Sequence, residues 1–297
     1  MPFFVCEHTS DGATQRFFGG PQELTSRKTI VFTMLLHENT DDGVYEFPGT
    51  EDVSDGEAKV DMSRKKKPAT RQKERKGFHA MGLSKKVLSG ILRLGFKNPT
   101  PIQRKSIPLS LAGNDVVAMA RTGSGKTAAF IVPMLQKLEA HSPTVGVRGV
   151  VLSPTRELAQ QTLKVAQQMS HFTDLRYCLI VGGDSVHAQW GALSDNPDVI
   201  IATPGRLMHH LEEIDDFKLD RVECLVLDEA DRLFELGFAD QIREIMRSVS
   251  PSRQTLLFSA TLPKMLIDFA SAGLKDPKLL RLDTDIKISE QLRMAFL

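Results

Sequence analysis

From Phe78 onward the apolar positions fall into two alternating rhythms. One is a short continuous apolar run: Val116 to Met119, Arg148 to Leu152, Arg176 to Val181, Val199 to Ala202, Val222 to Leu227 and Gln254 to Phe258. Runs of this length, bounded by Gly, Pro, Ser, Thr or Asp, read as strands, and the continuously apolar ones as strands buried on both faces. The other rhythm has the helical period. Val87, Leu88, Ile91 and Leu92 follow a capping Ser84 and stop at Gly95. Ala128, Ala129, Ile131, Val132, Leu135 and Leu138 form a second such face, and Leu158, Thr162, Ala166 and Met169 a third. Strands that alternate with helices predict an α/β domain with a mostly parallel sheet flanked by helices.

Residues 1–76 break this pattern. Apolar clusters (Phe3 to Val5, Phe17 and Phe18, Ile30 to Phe32) recur without a period, and no reading of them follows from the sequence. Glu38 to Asp61 is acidic and Gly-rich, and two basic runs follow, Arg64 to Lys67 and Arg71 to Lys76. Adjacent acidic and basic blocks predict a disordered, solvated tail, with the domain boundary at 76/77. The basic run reads equally as a nuclear-import signal, an RNA-grazing arm or a charged linker. The formal net charge is only +1. No global field draws the chain to nucleic acid or membrane, and any nucleic-acid contact must be a local patch. The run Thr29 to Leu36 is too short to span a bilayer and lacks a basic flank and cleavage site, so neither a signal peptide nor a membrane partner is expected. Cys6, Cys178 and Cys224 lack metal-ligand spacing, and the latter two read as buried thiols of a reducing compartment.

The candidate chemistry sits where apolar runs end. Val116 to Met119 leads into Ala120-Arg121-Thr122-Gly123-Ser124-Gly125-Lys126-Thr127, and a helical pattern follows. Glycines let several backbone N–H groups turn toward one anion, and the helix adds the positive end of its dipole. Lys126 would neutralise the outer phosphates of a nucleotide, and the Thr127 hydroxyl would sit on Mg²⁺. Ala120 stands where the general pattern has its first glycine. The run Val222 to Leu227 ends at Asp228-Glu229-Ala230-Asp231. Carboxylates at the carboxyl end of a core parallel strand face the ligand crevice. Asp228 would hold Mg²⁺ through water, Glu229 would orient and deprotonate an attacking water, and Asp231 reads as a connector. Pro99 and Pro101 hold a rigid turn ahead of Gln103, whose amide matches the N6/N7 edge of adenine. Thr261 reads as the cap of a helix starting at Leu262-Pro263.

Gly95-Phe96-x-x-Pro99-x-Pro101-Ile102-Gln103 resembles the Q motif of DEAD-box RNA helicases, and the motifs above then follow in that family's order. The resemblance runs from Phe78 to Leu297. It implies a RecA-like P-loop NTPase fold, ATP and Mg²⁺ as cofactors, and RNA as a partner gripped by its backbone without base specificity. It makes Phe78, seventeen residues before Gly95, a ring that stacks on adenine; the alternative is a hydrophobic staple on the helix near Ser84. Pro154, Thr155 and Arg156, then Gly182 and Gly183, then Thr203, Gly205 and Arg206 become an RNA track, though each is also a sound helix start or turn. Ser259 and Thr261 become hydroxyls that bond Asp231 and couple hydrolysis to strand separation. Ala118 to Thr127, Asp228 to Glu235 and Arg281 to Asp285 look like the nucleolar subgroup of large-subunit ribosome assembly, which implies pre-ribosomal particles as partners and a nuclear, nucleolar location. The family has a second RecA-like domain that supplies arginines to the ATPase cleft, and the 297 residues carry no such motif. The resemblance therefore implies the ATP-binding half of an RNA helicase. A catalytically silent RNA- or protein-binding fragment and a DNA translocase on the same fold are the alternatives.

Overall fold

A computed structural model describes residues 77–282 and the backbone of 44–46. Strands are β1 (Val44–Glu46), β2 (Val116–Met119), β3 (Gly149–Leu152), β4 (Tyr177–Ile180), β5 (Val199–Ala202), β6 (Cys224–Leu227), β7 (Gln254–Ser259) and β8 (Lys278–Arg281). A 3₁₀ turn, Gly77–Ala80, precedes helices α1 (Lys85–Arg93), α2 (Pro101–Leu111), α3 (Lys126–Leu138), α4 (Arg156–Met169) and α5 (Val186–Ser194). Then come α6 (Pro204–Glu213), α7 (Ala230–Glu235), α8 (Ala239–Ser248) and α9 (Lys264–Gly273).

The sheet order is β1-β8-β2-β7-β6-β3-β5-β4. The seven strands from β8 to β4 are mutually parallel, and β1 adds an antiparallel edge, Val44 opposite Leu280. Alternate residues of the apolar runs face opposite sides. Val116 and Ala118 of β2, Val151 of β3 and Phe258 of β7 join a core covered by α1 to α4. Val117, Val150, Leu152 and Leu257 join a second core covered by α6 to α9. Burial on both faces is why these strands read as continuous apolar runs rather than alternating ones.

The caps follow the sequence. The Ser84 hydroxyl accepts from Val87 N at 3.4 Å and Gly95, at φ +81°, stands just past α1. Thr155 caps α4 by accepting from Leu158 N at 3.2 Å. One glycine sets a close approach: a Cβ on Gly90 would lie 1.8 Å from the Met169 carbonyl oxygen, so α1 can rest on the end of α4 only without a side chain there.

Four sequence expectations need correction. The buried face of α4 is Ala159, Thr162, Ala166 and Met169, and Leu158 is only half-buried, one position before Ala159 at the edge of that face. Val222 is buried but lies in a turn, its N–H donating to Leu219 O, so β6 starts at Cys224. Thr261 does not cap α9; Pro263 occupies that position and the Thr261 hydroxyl is drawn to Asp231. Within the supposed tail, Val44–Glu46 forms a strand, because the β8 edge offers unpaired backbone groups. The remaining expectations for 1–76, Cys6 and the basic runs included, and those for 283–297 lie outside the described residues.

Candidate nucleotide and RNA site

Because β2 to β8 are parallel, the loops after their carboxyl ends lie along one rim of the sheet. The order of strands sorts them. The phosphate-loop segment follows β2, Ser259 to Thr261 close β7, and the Asp228 tetrad follows β6. Next along the rim come Pro154 to Arg156 after β3, Thr203 to Arg206 after β5 and Gly182 to Gly183 after β4. One half of the rim therefore gathers the segments expected to hold nucleotide, and the other half those expected to grip an RNA backbone.

At β2, Ala120 is buried and its N–H donates to Ser259 O at 3.0 Å. Thr122 and Gly123 are exposed at the loop tip. Gly125 holds φ +92°, a left-handed conformation that a side chain disfavours, and a Cβ there would lie 2.5 Å from Gln103 Nε2. Lys126 is 7% exposed and its Nζ donates to Ala120 O at 2.8 Å, inside the loop. Its ammonium is thus parked on a carbonyl that an incoming phosphate can replace. The Ser124 hydroxyl is buried and without a partner, and Thr127 is half-buried at the first turn of α3.

Gln103 closes this loop from behind. Its Oε1 accepts from Thr100 N at 2.9 Å and its Nε2 donates to Gly125 O at 3.0 Å. The amide does not stand free; it is buried and tied to the phosphate loop, with one donor and one acceptor site left over. Phe78 departs further from expectation. The ring is 1% exposed and belongs to the core under α1 to α4. It has no open face for a base in this structure, because the 3₁₀ turn points it inward, where burial of a large ring is most favourable.

At β6, Asp228 is 3% exposed. Burial is the main reason its carboxyl is raised to about 7; neighbouring Glu229 raises it further, and Lys126 opposes both. Glu229 sits at φ +47°, a strained position for a residue with a Cβ, at the start of α7. Asp231 accepts from Thr261 N and from Thr261 Oγ1, each at 2.8 Å, while its own N–H donates to Ser259 Oγ at 3.1 Å. Burial alone would raise the Asp231 carboxyl, but the hydroxyls and backbone N–H groups outweigh it and hold it below the usual range.

On the other half, Arg156 reaches from the first turn of α4 to the β4 turn. Its Nη1 donates to Gly182 O at 2.9 Å and its Nη2 pairs with Asp184 at 2.6 Å. Pro154 is buried, Thr155 caps α4, and Gly182, Gly183 and Gly205 are exposed. Thr203 starts α6 without a side-chain cap bond, so its hydroxyl is not spent on the helix, and Arg206 is half-buried on the first turn.

A family model described as the DEAD/DEAH box helicase matches residues 100–269. The chain belongs to this family. DEAD-box ATP-dependent RNA helicase 29 of Oryza sativa subsp. indica is 59% identical over 220 residues, 74% of this chain and 26% of that protein. ATP-dependent RNA helicase DDX54 of Mus musculus is 54% identical over 253 residues, 84% of this chain and 28% of that protein. The chain thus spans little more than a quarter of these curated relatives. A DEAD box protein from Methanococcus jannaschii matches in structure with a TM-score of 0.65 at 34% identity, over 70% of this chain and 56% of that one. The yeast DEAD-box splicing factor Prp28 matches with a TM-score of 0.63 at 36% identity, over 66% and 49%.

For a DEAD/DEAH box domain the donor set suits a magnesium nucleotide. A buried carboxylate short of positive charge, an orphaned Ser124 hydroxyl and a left-handed Gly125 cradle lie along one part of the rim. Among the described residues no group of three or more His, Cys, Asp or Glu stands ready to hold a metal ion. An open groove of about 740 Å³ between α8 and α9 is lined by Arg243, Met246, Lys264 and Phe269 among others and by none of these motif residues. Sequence reasoning missed Asp184 and Gln189, which brace the β4 turn: an acid and a glutamine on a short polar stretch carry no local signal.

Proposed function

We propose that this chain is the ATP-binding half of an ATP-dependent RNA helicase. The observation that carries the reading is the sorting of the rim. The phosphate loop, the Asp228 tetrad and the Thr261 link share β2, β7 and β6, and the segments after β3, β5 and β4 continue the same rim. Lys126 and the loop N–H groups would hold the phosphates, and the leftover capacity of Gln103 would meet the adenine edge. Thr127 and Asp228 would hold Mg²⁺, which supplies charge neutralisation to the phosphates. Glu229 would accept the proton of the attacking water. Thr155, Arg156, Thr203 and the exposed glycine backbone would contact RNA phosphates, which gives grip without base readout.

Within the nucleotide half, Asp231 joins two strand ends, since Thr261 and Ser259 tie the tetrad after β6 to the β7 tip beside the phosphate loop. The names of the relatives support RNA as the polymer. A role on pre-ribosomal particles in the nucleolus rests on the subgroup resemblance of the motif-flanking sequences. The test is binding of a fluorescent ATP analogue with Mg²⁺, and of labelled single-stranded RNA and DNA, by the chain and its Lys126→Ala variant. The reading expects nucleotide binding that Lys126→Ala loses, with RNA preferred over DNA. Retained nucleotide binding in the variant, or none in either protein, overturns it; equal affinity for DNA favours a translocase.

A further inference from the structure

His210 lies on α6, one turn after Arg206, and it is 0% exposed and fully hydrogen-bonded. Trp190 Nε1 donates to its Nδ1 at 3.0 Å. Its Nε2 lies 2.7 Å from Gln189 Oε1. Gln189, 5% exposed, donates from Nε2 to Val181 O at 2.8 Å. An indole N–H can only donate, so Nδ1 must be the acceptor. Nε2 then carries the proton and gives it to the Gln189 carbonyl, which leaves the amide NH₂ for Val181. Only one proton arrangement satisfies all three bonds.

Val181 is the residue before Gly182, whose carbonyl takes the Arg156 guanidinium. The chain of bonds therefore runs from α6, the helix of Thr203 and Arg206, through α5, into the β4 turn and on to Arg156. It connects three backbone-gripping segments that are far apart in sequence.

We propose that neutral His210 is a positioning residue for the RNA track, holding the Val181 to Gly183 turn and, through it, Arg156 in register with Thr203 and Arg206. The proposal rests on the reading of those segments as an RNA track. Protonation at Nδ1 would set two N–H groups against each other and release Trp190. Burial disfavours the charged ring, and so do Arg206 and His209 on its own helix. From α5, His187 stands edge-on to Trp190 at 5.0 Å and adds no negative charge.

The test uses the 297-residue chain, its His210→Gln and His210→Leu variants and a labelled oligouridylate, with affinity followed from about pH 8 to about pH 4.5, below the ordinary imidazole range because burial lowers the ring's pKa. A fluorescent ADP analogue provides the control at each pH. The expected result is a fall in wild-type RNA affinity relative to His210→Gln, approaching about tenfold for each pH unit below the ring's own pKa, with the same ADP profile in both proteins. His210→Gln keeps a donor and an acceptor without titrating, so its affinity should lie near wild type at pH 8 and stay level. His210→Leu should be weak at every pH. Parallel wild-type and His210→Gln profiles overturn the proposal, and wild-type binding that tracks ADP binding does so without any variant. Absence of RNA binding by the wild type at pH 8 overturns instead the RNA-track reading beneath it.

Discussion

Asp228 shows how a single buried carboxylate is kept in tension. Its pKa is raised to about 7, chiefly by burial, against 3.8 for the free group. The native state therefore holds a proton that the unfolded chain releases, so this group's contribution to stability falls as pH rises from about 4 to about 7. Above that range the apo fold bears the whole unfavourable term. Asp228→Asn should raise the apo melting temperature at pH 8, with the gain shrinking toward pH 4, while Mg²⁺-dependent nucleotide binding is lost. Calorimetry and nucleotide titration check the pair. Asp198 has the opposite sign. It is 2% exposed and accepts from Arg148 at 2.7 Å, Ser142 N and Arg176 N at 3.0 Å, with His141 at 2.8 Å. Burial pushes its carboxyl up, but these donors win and its pKa is lowered. Its stabilisation is present above the unfolded carboxylate range and lost as pH falls through the folded value. Asp198→Asn should cost about 3–5 kcal/mol near neutral pH, because the Arg148 guanidinium loses its carboxylate and keeps the Leu138 and Ala140 carbonyls as acceptors without a counter-charge. Urea melts should show that difference narrowing below about pH 4.

At the scale of elements, the strands were legible because burial on both faces writes a continuous apolar run, and the helices because their caps are local. Elements without those signals were not. β8 has only Leu279 and Leu280 as apolar residues, and β1 is Val-Tyr-Glu; both are fixed by pairing with a neighbour far along the chain. The cap reading of Thr261 fails for the same reason: its local sequence is that of a cap, and its actual partner is Asp231, thirty positions away, the bond the family resemblance implies. Phe78 and Gln103 were recognisable by spacing, but their burial was not, since it depends on how α1 to α3 close over the sheet. Two substitutions test the contacts that only the fold reveals. Gly90→Ala puts a methyl into the Met169 carbonyl and should destabilise by about 1–3 kcal/mol or more as α1 lifts from α4. Gly125→Ala strains the left-handed loop and collides with Gln103, so it should abolish nucleotide binding while leaving the far-ultraviolet circular dichroism unchanged.

Across the whole molecule, the sheet order places two chemistries side by side, with β6 and β3 as the border. The Asp228 tetrad follows β6, and the Pro154 to Arg156 segment proposed to grip RNA follows the neighbouring strand β3. Asp231, through Thr261 and Ser259, ties the tetrad to the β7 tip. Thr261→Val should therefore loosen the link between nucleotide and RNA occupancy more than it weakens either binding alone, a separation measurable by titrating each ligand in the presence of the other. The same layout limits what this stretch can do unaided. On the nucleotide half Lys126 is the buried cation of the phosphate loop and Arg121 stands exposed on the same loop, while Arg156 is already committed to Gly182 and Asp184 on the other half. Charge that develops on a transferring phosphoryl group needs further cations, which the family resemblance assigns to a second domain, and an arginine finger is worth about 10³ to 10⁵ in rate. The chain covers 28% of the mouse relative, so the comparison can be made directly. The 297 residues alone should hydrolyse ATP at least about a thousandfold more slowly than a polypeptide extended through the second domain. RNA should scarcely stimulate them, as a coupled-enzyme phosphate assay would register; comparable RNA-stimulated rates would mean that the charge is neutralised from within this half.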